Sequence, residues 1–168
     1  YKGYPFTDYE NTLGTIYIVR DPRNVITSLK NHYSLSDYTE AKEFMFDENK
    51  ILAMSERQKN LFMKSKIFPL KQIVGSWRTN YLSWKHMDKN YLLVKYEDLV
   101  ENPKNEFTKI ANFIGNLLKL KFTEDQIDAA INLSSFEKLE KMEKDSGFTE
   151  STVSKEGIRN KFFFLGPK

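Results

Sequence analysis

The 168-residue chain contains no cysteine, which excludes a disulfide framework and thiolate metal sites and fits a reducing compartment. It has no run of 18 apolar residues and no apolar stretch with a cleavage site at its front, so it predicts neither a transmembrane helix nor a signal peptide. Histidine occurs twice, at His32 and His86, and two isolated imidazoles do not make a metal site. The seven glycines do not cluster, and no G-x-x-x-x-G-K-[ST] phosphate loop is present. Charge of one sign is also missing: 26 basic residues meet 23 acidic ones, and a net +3 argues poorly for a nucleic-acid binder. Arginine is scarce, five residues against 21 lysines, yet Arg20 and Arg23 stand almost together. Arginine is the cation suited to planar, multi-donor anion recognition, so that place draws attention first. What is abundant is apolar material: 40% hydrophobic and 14% aromatic residues supply a core despite a mean hydropathy of −0.58.

Thr15 to Val19 (TIYIV) has the β-branched, aromatic pattern of a strand buried on both faces of a parallel sheet. Asp21-Pro22 follows, a favoured N-cap before the residue favoured at the first helical position. The spacing predicts a helix from about Pro22 to Tyr33, with Val25, Leu29 and Tyr33 on one face and Asn24, Ser28 and His32 on another. Residues 36–68 read as irregular helix, where Phe44, Phe46, Phe62 and Phe68 either line a pocket or pack as core. Gly75 to Met87 predicts another helix, whose Trp77, Tyr81 and Trp84 form an aromatic stripe of core type. Tyr91 to Lys95 (YLLVK) is a second strand, ending at Tyr96-Glu97-Asp98. Asn102-Pro103 opens the clearest helix, Thr123 and Gln126 form a capping box, and Ser134-Ser135-Phe136 starts a charged helix to about Lys144. Residues 145–161 are polar and predict a mobile loop. The alternation predicts an α/β fold, a parallel sheet with flanking helices, in a single domain over residues 1–168. Two strands are too few for such a sheet and the first residue is Tyr, so the sequence predicts part of a larger domain.

In open α/β sheets, ligands bind beyond the carboxyl ends of the strands. Arg20 is the first residue past strand one and abuts a helix N-terminus, where N–H groups and the dipole favour an anion. With Ser28 on the polar helix face, this reads as a phosphate or sulfate site. The alternative is that Arg20 pairs with Asp21 or Asp98 and ties strand to helix. Tyr96 holds the matching place after strand two, either against a nucleobase or as an ordinary core aromatic. Glu97 and Asp98, as adjacent strand residues, would point to opposite faces and make no acid/base couple. His32 shares a face with Ser28, which leaves a catalytic role open.

Three segments combine into one pattern. IYIVRDPRNVITS, LLVKYEDLVENPKNEFTKIANFIG and Ser134-Ser135-Phe136 resemble, in order and separation, signatures of the sulfotransferases that use 3'-phosphoadenylyl sulfate (PAPS). The resemblance implies the P-loop-nucleotide-hydrolase-like sulfotransferase fold and covers roughly the C-terminal two-thirds of a family domain. It implies that Arg20 and Ser28 bind the 3'-phosphate and that Tyr96, Ser134 and Phe136 hold adenine. In the family's R-K-G-x-x-G-D-W motif, Phe164 and Leu165 replace Arg and Lys, while Gly166 keeps the glycine and its backbone N–H. Arg23, Arg159 and Lys168 are the cations near enough in sequence to compensate. The resemblance implies sulfuryl transfer to a hydroxyl or amine of a small-molecule acceptor, with adenosine 3',5'-bisphosphate as product and no metal. It implies no nucleic-acid or membrane partner, a cytoplasmic location, and a lid over the cofactor that includes residues 145–161. The catalytic base and the leaving-group Lys are expected upstream of residue 1, and His32 does not correspond to that base. Local features leave two rivals open: a nucleotide kinase-like phosphotransferase and a non-catalytic nucleotide-binding module.

Overall fold

The computed structural model describes residues 10–52, 72–85, 90–149, 151–152 and 157–163. Along the chain these form β1 (Thr15–Val19), α1 (Pro22–His32), α2 (Tyr38–Phe46), β2 (Ile51–Leu52) and β3 (Gln72–Ile73). Then follow α3 (Trp77–Lys85), β4 (Tyr91–Lys95), α4 (Tyr96–Glu101), α5 (Pro103–Leu118), α6 (Glu124–Leu133) and α7 (Phe136–Ser146).

β1 and β4 pair in parallel, with Thr15 against Tyr91 and Val19 against Lys95. A parallel pair needs a long crossover, and the chain between the two strands supplies it with α1, α2, the short antiparallel pair β2–β3, and α3. Asn90 seals the entry of the pair. Its carbonyl accepts from the Thr15 amide at 2.8 Å, and its side-chain amide donates to the Leu13 carbonyl at 2.8 Å.

Strand residues alternate between faces, so Tyr17 and Tyr91 lie on one side and Val94 on the other. On the first side α3 presents its stripe: Tyr17 stacks on Trp84 with centroids 6.0 Å apart, and Trp77 stacks on Tyr81 at 5.6 Å. Core is therefore the role of this stripe. The Tyr17 hydroxyl donates to Asn80 Oδ1 at 3.2 Å, and burial together with the neighbouring Tyr91 and Tyr81 raises its pKa, keeping it a donor. On the second side α5 packs against β4, and Val94 is only 1% exposed.

Several expectations need correction. β1 is not buried on both faces: Ile18 is 53% exposed, on the face where α5 packs against β4. Residues 36–68 are not continuous irregular helix. The Asp37 carboxylate caps α2 by accepting from the Thr39 and Glu40 amides, the helix stops at Phe46, and β2 follows. Phe44 packs on Tyr33 at 4.8 Å, whereas Phe46 is exposed rather than core; Phe62 and Phe68 lie outside the described residues. Tyr96-Glu97-Asp98 is not strand but the first turn of α4. The chain over 145–161 is fastened where it is described. α7 runs through Ser146, and the Asn160 amide donates to the Thr152 carbonyl at 2.8 Å.

The capping box forms as read: Thr123 Oγ1 accepts from the Gln126 amide, and Gln126 returns an acceptor to the Thr123 amide at 2.9 Å. Just before it, α5 ends at Lys119 in the left-handed region and the chain folds back so tightly that the Leu120 amide donates to the Gly115 carbonyl at 2.9 Å. A Cβ on Gly115 would sit 2.6 Å from the Leu120 carbonyl oxygen. Gly115→Ala is therefore expected to lower stability by about 1–3 kcal/mol, the usual cost of forcing a methyl into packed structure. Urea unfolding measures it, and an unchanged midpoint would contradict the contact.

Candidate functional site

The register of the sheet builds the site. Because Val19 pairs with Lys95, the next residue of each strand, Arg20 and Tyr96, leaves the sheet side by side at its carboxyl end. The Arg20 guanidinium carbon lies 4.4 Å above the centroid of the Tyr96 ring, a cation–π contact. Stacking uses the flat face of the guanidinium, while its N–H donors radiate in the plane. Tyr96, the first residue of α4, is half-buried.

Arg20 does not pair with its neighbour Asp21. That carboxylate caps α1 through the Arg23 amide at 2.8 Å and grips the Arg23 guanidinium in a forked ion pair. The Asn24 and Val25 amides donate to the Asp21 carbonyl at 2.9 and 3.0 Å, and Pro22 has no amide hydrogen. The expectation of open N–H groups at this helix start is thus corrected: Asp21 occupies them. Anion recognition here falls to side chains. Ser28, exposed on α1, donates to the Asn24 carbonyl at 3.5 Å, a bond at the limit of length and readily exchanged for a ligand.

A carboxylate that the sequence reading set aside joins the two halves. Glu97 Oε1 accepts from the Asp21 amide at 2.9 Å, tying the first turn of α4 to the residue beside Arg20. The amides of Asp21 and of Glu97 itself hold the Glu97 carboxyl below its usual range, and the Arg20 charge adds to this. Its position next to Tyr96 was the one available signal, hidden by reading it as strand.

Ser134 and Phe136 sit at the α6–α7 corner. Ser134 caps the end of α6, its hydroxyl donating to the Ala130 carbonyl at 2.8 Å and reaching Ile131 at 3.2 Å. Phe136 begins α7, half-buried, with its ring edge-on to Phe163 at 6.2 Å. Gly166, Phe164, Leu165, Lys168 and His86 lie outside the described residues. His32 packs edge-on against Tyr33 at 4.8 Å and Phe162 at 6.2 Å, an aromatic packing role. Of the two compensating cations described, Arg23 is held by Asp21, and Arg159 Nη1 donates to the Phe148 carbonyl at 2.8 Å. Among the described residues no His/Cys/Asp/Glu group is arranged to hold a metal, and no helix is long and apolar enough to cross a membrane.

A family model described as "Sulfotransferase domain" matches residues 6–163. The chain belongs to the sulfotransferase family. The sulfotransferase domain is 26% identical over 148 residues to a 3-alpha-hydroxysteroid sulfotransferase of Cavia porcellus, a match that covers 87% of this chain and 45% of that protein. It is 26% identical over 165 residues to flavonol 3-sulfotransferase of Flaveria bidentis, covering 98% of this chain and 50% of that one. The chain thus spans about half the length of such relatives. Among solved structures, it resembles mouse sulfotransferase SULT7A1 complexed with PAP, with a TM-score of 0.51 and 21% identity over 92% of this chain and 49% of that one. It also resembles retinol dehydratase in complex with androsterone and inactive cofactor PAP, with a TM-score of 0.55 and 20% identity over 89% of this chain and 39% of that one. These likenesses establish the α/β sulfotransferase fold expected from the sequence.

Two outcomes test the geometry of the domain. A double-mutant cycle of Arg20→Ala and Tyr96→Leu, read by urea unfolding, should give a coupling of about 0.5–1 kcal/mol, the scale of an accessible cation–π pair. Strictly additive effects would contradict the contact. The Asp21 carboxyl is lowered from 3.8 to about 2 by its hydrogen bonds to the Arg23 side chain and amide. A depressed folded pKa contributes stability above the unfolded value and loses it as pH falls through the folded one. Thermal stability should therefore fall from about pH 4 toward pH 2, and Asp21→Asn, which keeps an acceptor but no charge, should flatten that limb. Parallel curves for both proteins would remove Asp21 from the cause.

Proposed function

We propose that this chain is the nucleotide-gripping part of a single-domain, cytoplasmic PAPS-dependent sulfotransferase acting on a hydroxyl or amine of a small-molecule acceptor. The observation that carries the reading is Arg20 at the carboxyl end of β1, laid against the Tyr96 ring at the end of β4. The donor set suits the ligand. A guanidinium just before α1 and a hydroxyl on α1 match a phosphate, and the aromatic ring beside Arg20 matches a base. Arg20 and Ser28 would hold the 3'-phosphate; Tyr96, Ser134 and Phe136 would hold adenine, with the Gly166 amide near the phosphate. When bound, PAPS supplies the sulfuryl group and leaves as the bisphosphate. The residues here orient the nucleotide for in-line displacement, a reaction that depends on positioning and charge neutralisation. The names of the relatives, a steroid and a flavonol sulfotransferase, support a small-molecule acceptor.

The complete enzyme is expected to bind adenosine 3',5'-bisphosphate much more tightly than AMP in a calorimetric titration. Arg20→Ala should reduce that preference by about 1.5–3 kcal/mol, the scale of a hydrogen bond to a charged group. Equal affinities in the wild type, or an unaltered preference in the variant, would sink the assignment.

A further inference from the structure

Residues 157–163 form a strap between the two walls assigned to the nucleotide. Toward α7, the Phe163 ring meets Phe136 edge-on at 6.2 Å. Toward α1, the Phe162 ring meets His32 edge-on at 6.2 Å. The Asn160 side-chain amide reaches the same end of α1, donating to Ser34 Oγ at 3.1 Å as well as to Thr152 Oγ1 at 3.0 Å.

One carboxylate fixes this strap. Glu143, two turns along α7 from Phe136, accepts from the Phe162 amide on Oε1 at 2.6 Å and from the Phe163 amide on Oε2 at 2.8 Å. The Ser151 hydroxyl adds a third bond, to Oε1, at 3.1 Å. Consecutive amides converge on one carboxylate only where the chain bends, and residues 162 and 163 are bent. The three phenylalanines of the strap and its approach, Phe148, Phe162 and Phe163, pack tilted or edge-on against one another with centroids 4.7 to 5.2 Å apart. Burial pushes the Glu143 carboxyl up, but the Phe162 and Phe163 amides, the Ser151 hydroxyl and Lys161 outweigh it and leave it ionised below its usual range.

We propose that Glu143 is a positioning residue for the adenine side of the nucleotide site: by holding the Phe162 and Phe163 amides, it seats the Phe163 ring against Phe136 and so fixes how Phe136 faces the base. The inference rests on the reading of Phe136 as a base contact. Ser135, the N-cap of α7, makes no side-chain capping bond next to Phe136. Glu143 touches no ligand in this scheme. It acts through the ring of Phe163, and its effect is confined to the base.

The test separates base from phosphate. The full-length enzyme is titrated calorimetrically with adenosine 3',5'-bisphosphate and with ribose 3,5-bisphosphate, which lacks the base. Glu143→Ala is expected to weaken the first roughly fivefold, as when the competent ring orientation falls to about a fifth of the population, and to leave the second within about twofold. Glu143→Gln retains one acceptor oxygen, should lie between, and carries the comparison if the alanine variant fails to fold. Amide hydrogen exchange at Phe162 and Phe163 should quicken in both variants. Equal weakening of both ligands, or no weakening of either, overturns the role. If the wild type gains nothing from the base, the base-contact reading falls and this role with it, while the exchange rates still report whether Glu143 holds the strap.

Discussion

The parallel register of β1 and β4 is the constraint on which the rest depends. Pairing Val19 with Lys95 brings the next two residues, Arg20 and Tyr96, to the same edge of the sheet. Side chains alternate along a strand, so slipping the pair by one residue would send every side chain to the opposite face. Tyr17 would then leave the α3 stripe, and Val94 would lose its cover on α5. Packing on both faces thus enforces a register that lays the Arg20 guanidinium on the Tyr96 ring. Asn90 reinforces the same alignment from the other end by binding the backbone on both sides of Gly14.

At the carboxyl end of that sheet, carboxylates serve as construction, and the proposed recognition of phosphate is left to Arg20. Asp21 closes the helix start and neutralises itself on Arg23; Glu97 takes the Asp21 amide and stabilises its own charge at the first turn of α4. Two acids beside a proposed phosphate site would repel the ligand if their charges were exposed. Here the Asp21 charge is paired with Arg23, and Glu97 is held by the amides of Asp21 and of Glu97 itself with the Arg20 charge nearby. The loop from β1 to α1 is thereby tied at Asp21, next to Arg20, to the first turn of α4.

The sequence made this corner legible because each element there is dictated locally. A β-branched run makes the strand, Asp-Pro opens the helix, and Thr123 with Gln126 closes a capping box, each within a few residues of chain. The elements that were missed depend on distant partners. β2 and β3 are two residues each and exist only by pairing across a long separation. Glu48, in the same region, reaches forward to the hydroxyl of Ser76, which is 2% exposed, and so caps the approach to α3 from 28 residues away. Glu97 lies in the first turn of a helix rather than in a strand, and its partner Asp21 is 76 residues away in sequence. Glu143 carries no local signal at all, since its partners lie eight to 20 residues further along.

The far side of the site follows a different logic. The strand-end corner handles charge, whereas the strap over α7 is built from rings and captured amides. Its own cations are spent on fastening it: Lys161 on Glu140, and Arg159 on the Phe148 carbonyl. Arg23 is likewise held by Asp21. Arg23, Arg159 and Lys161 are thus each engaged within the protein. A strap anchored by aromatic packing can fix shape and exclude water but cannot neutralise a dianion. Under the proposed function, charge recognition would concentrate on Arg20, whose guanidinium would bear a larger share of phosphate selectivity than it would beside a second cationic loop.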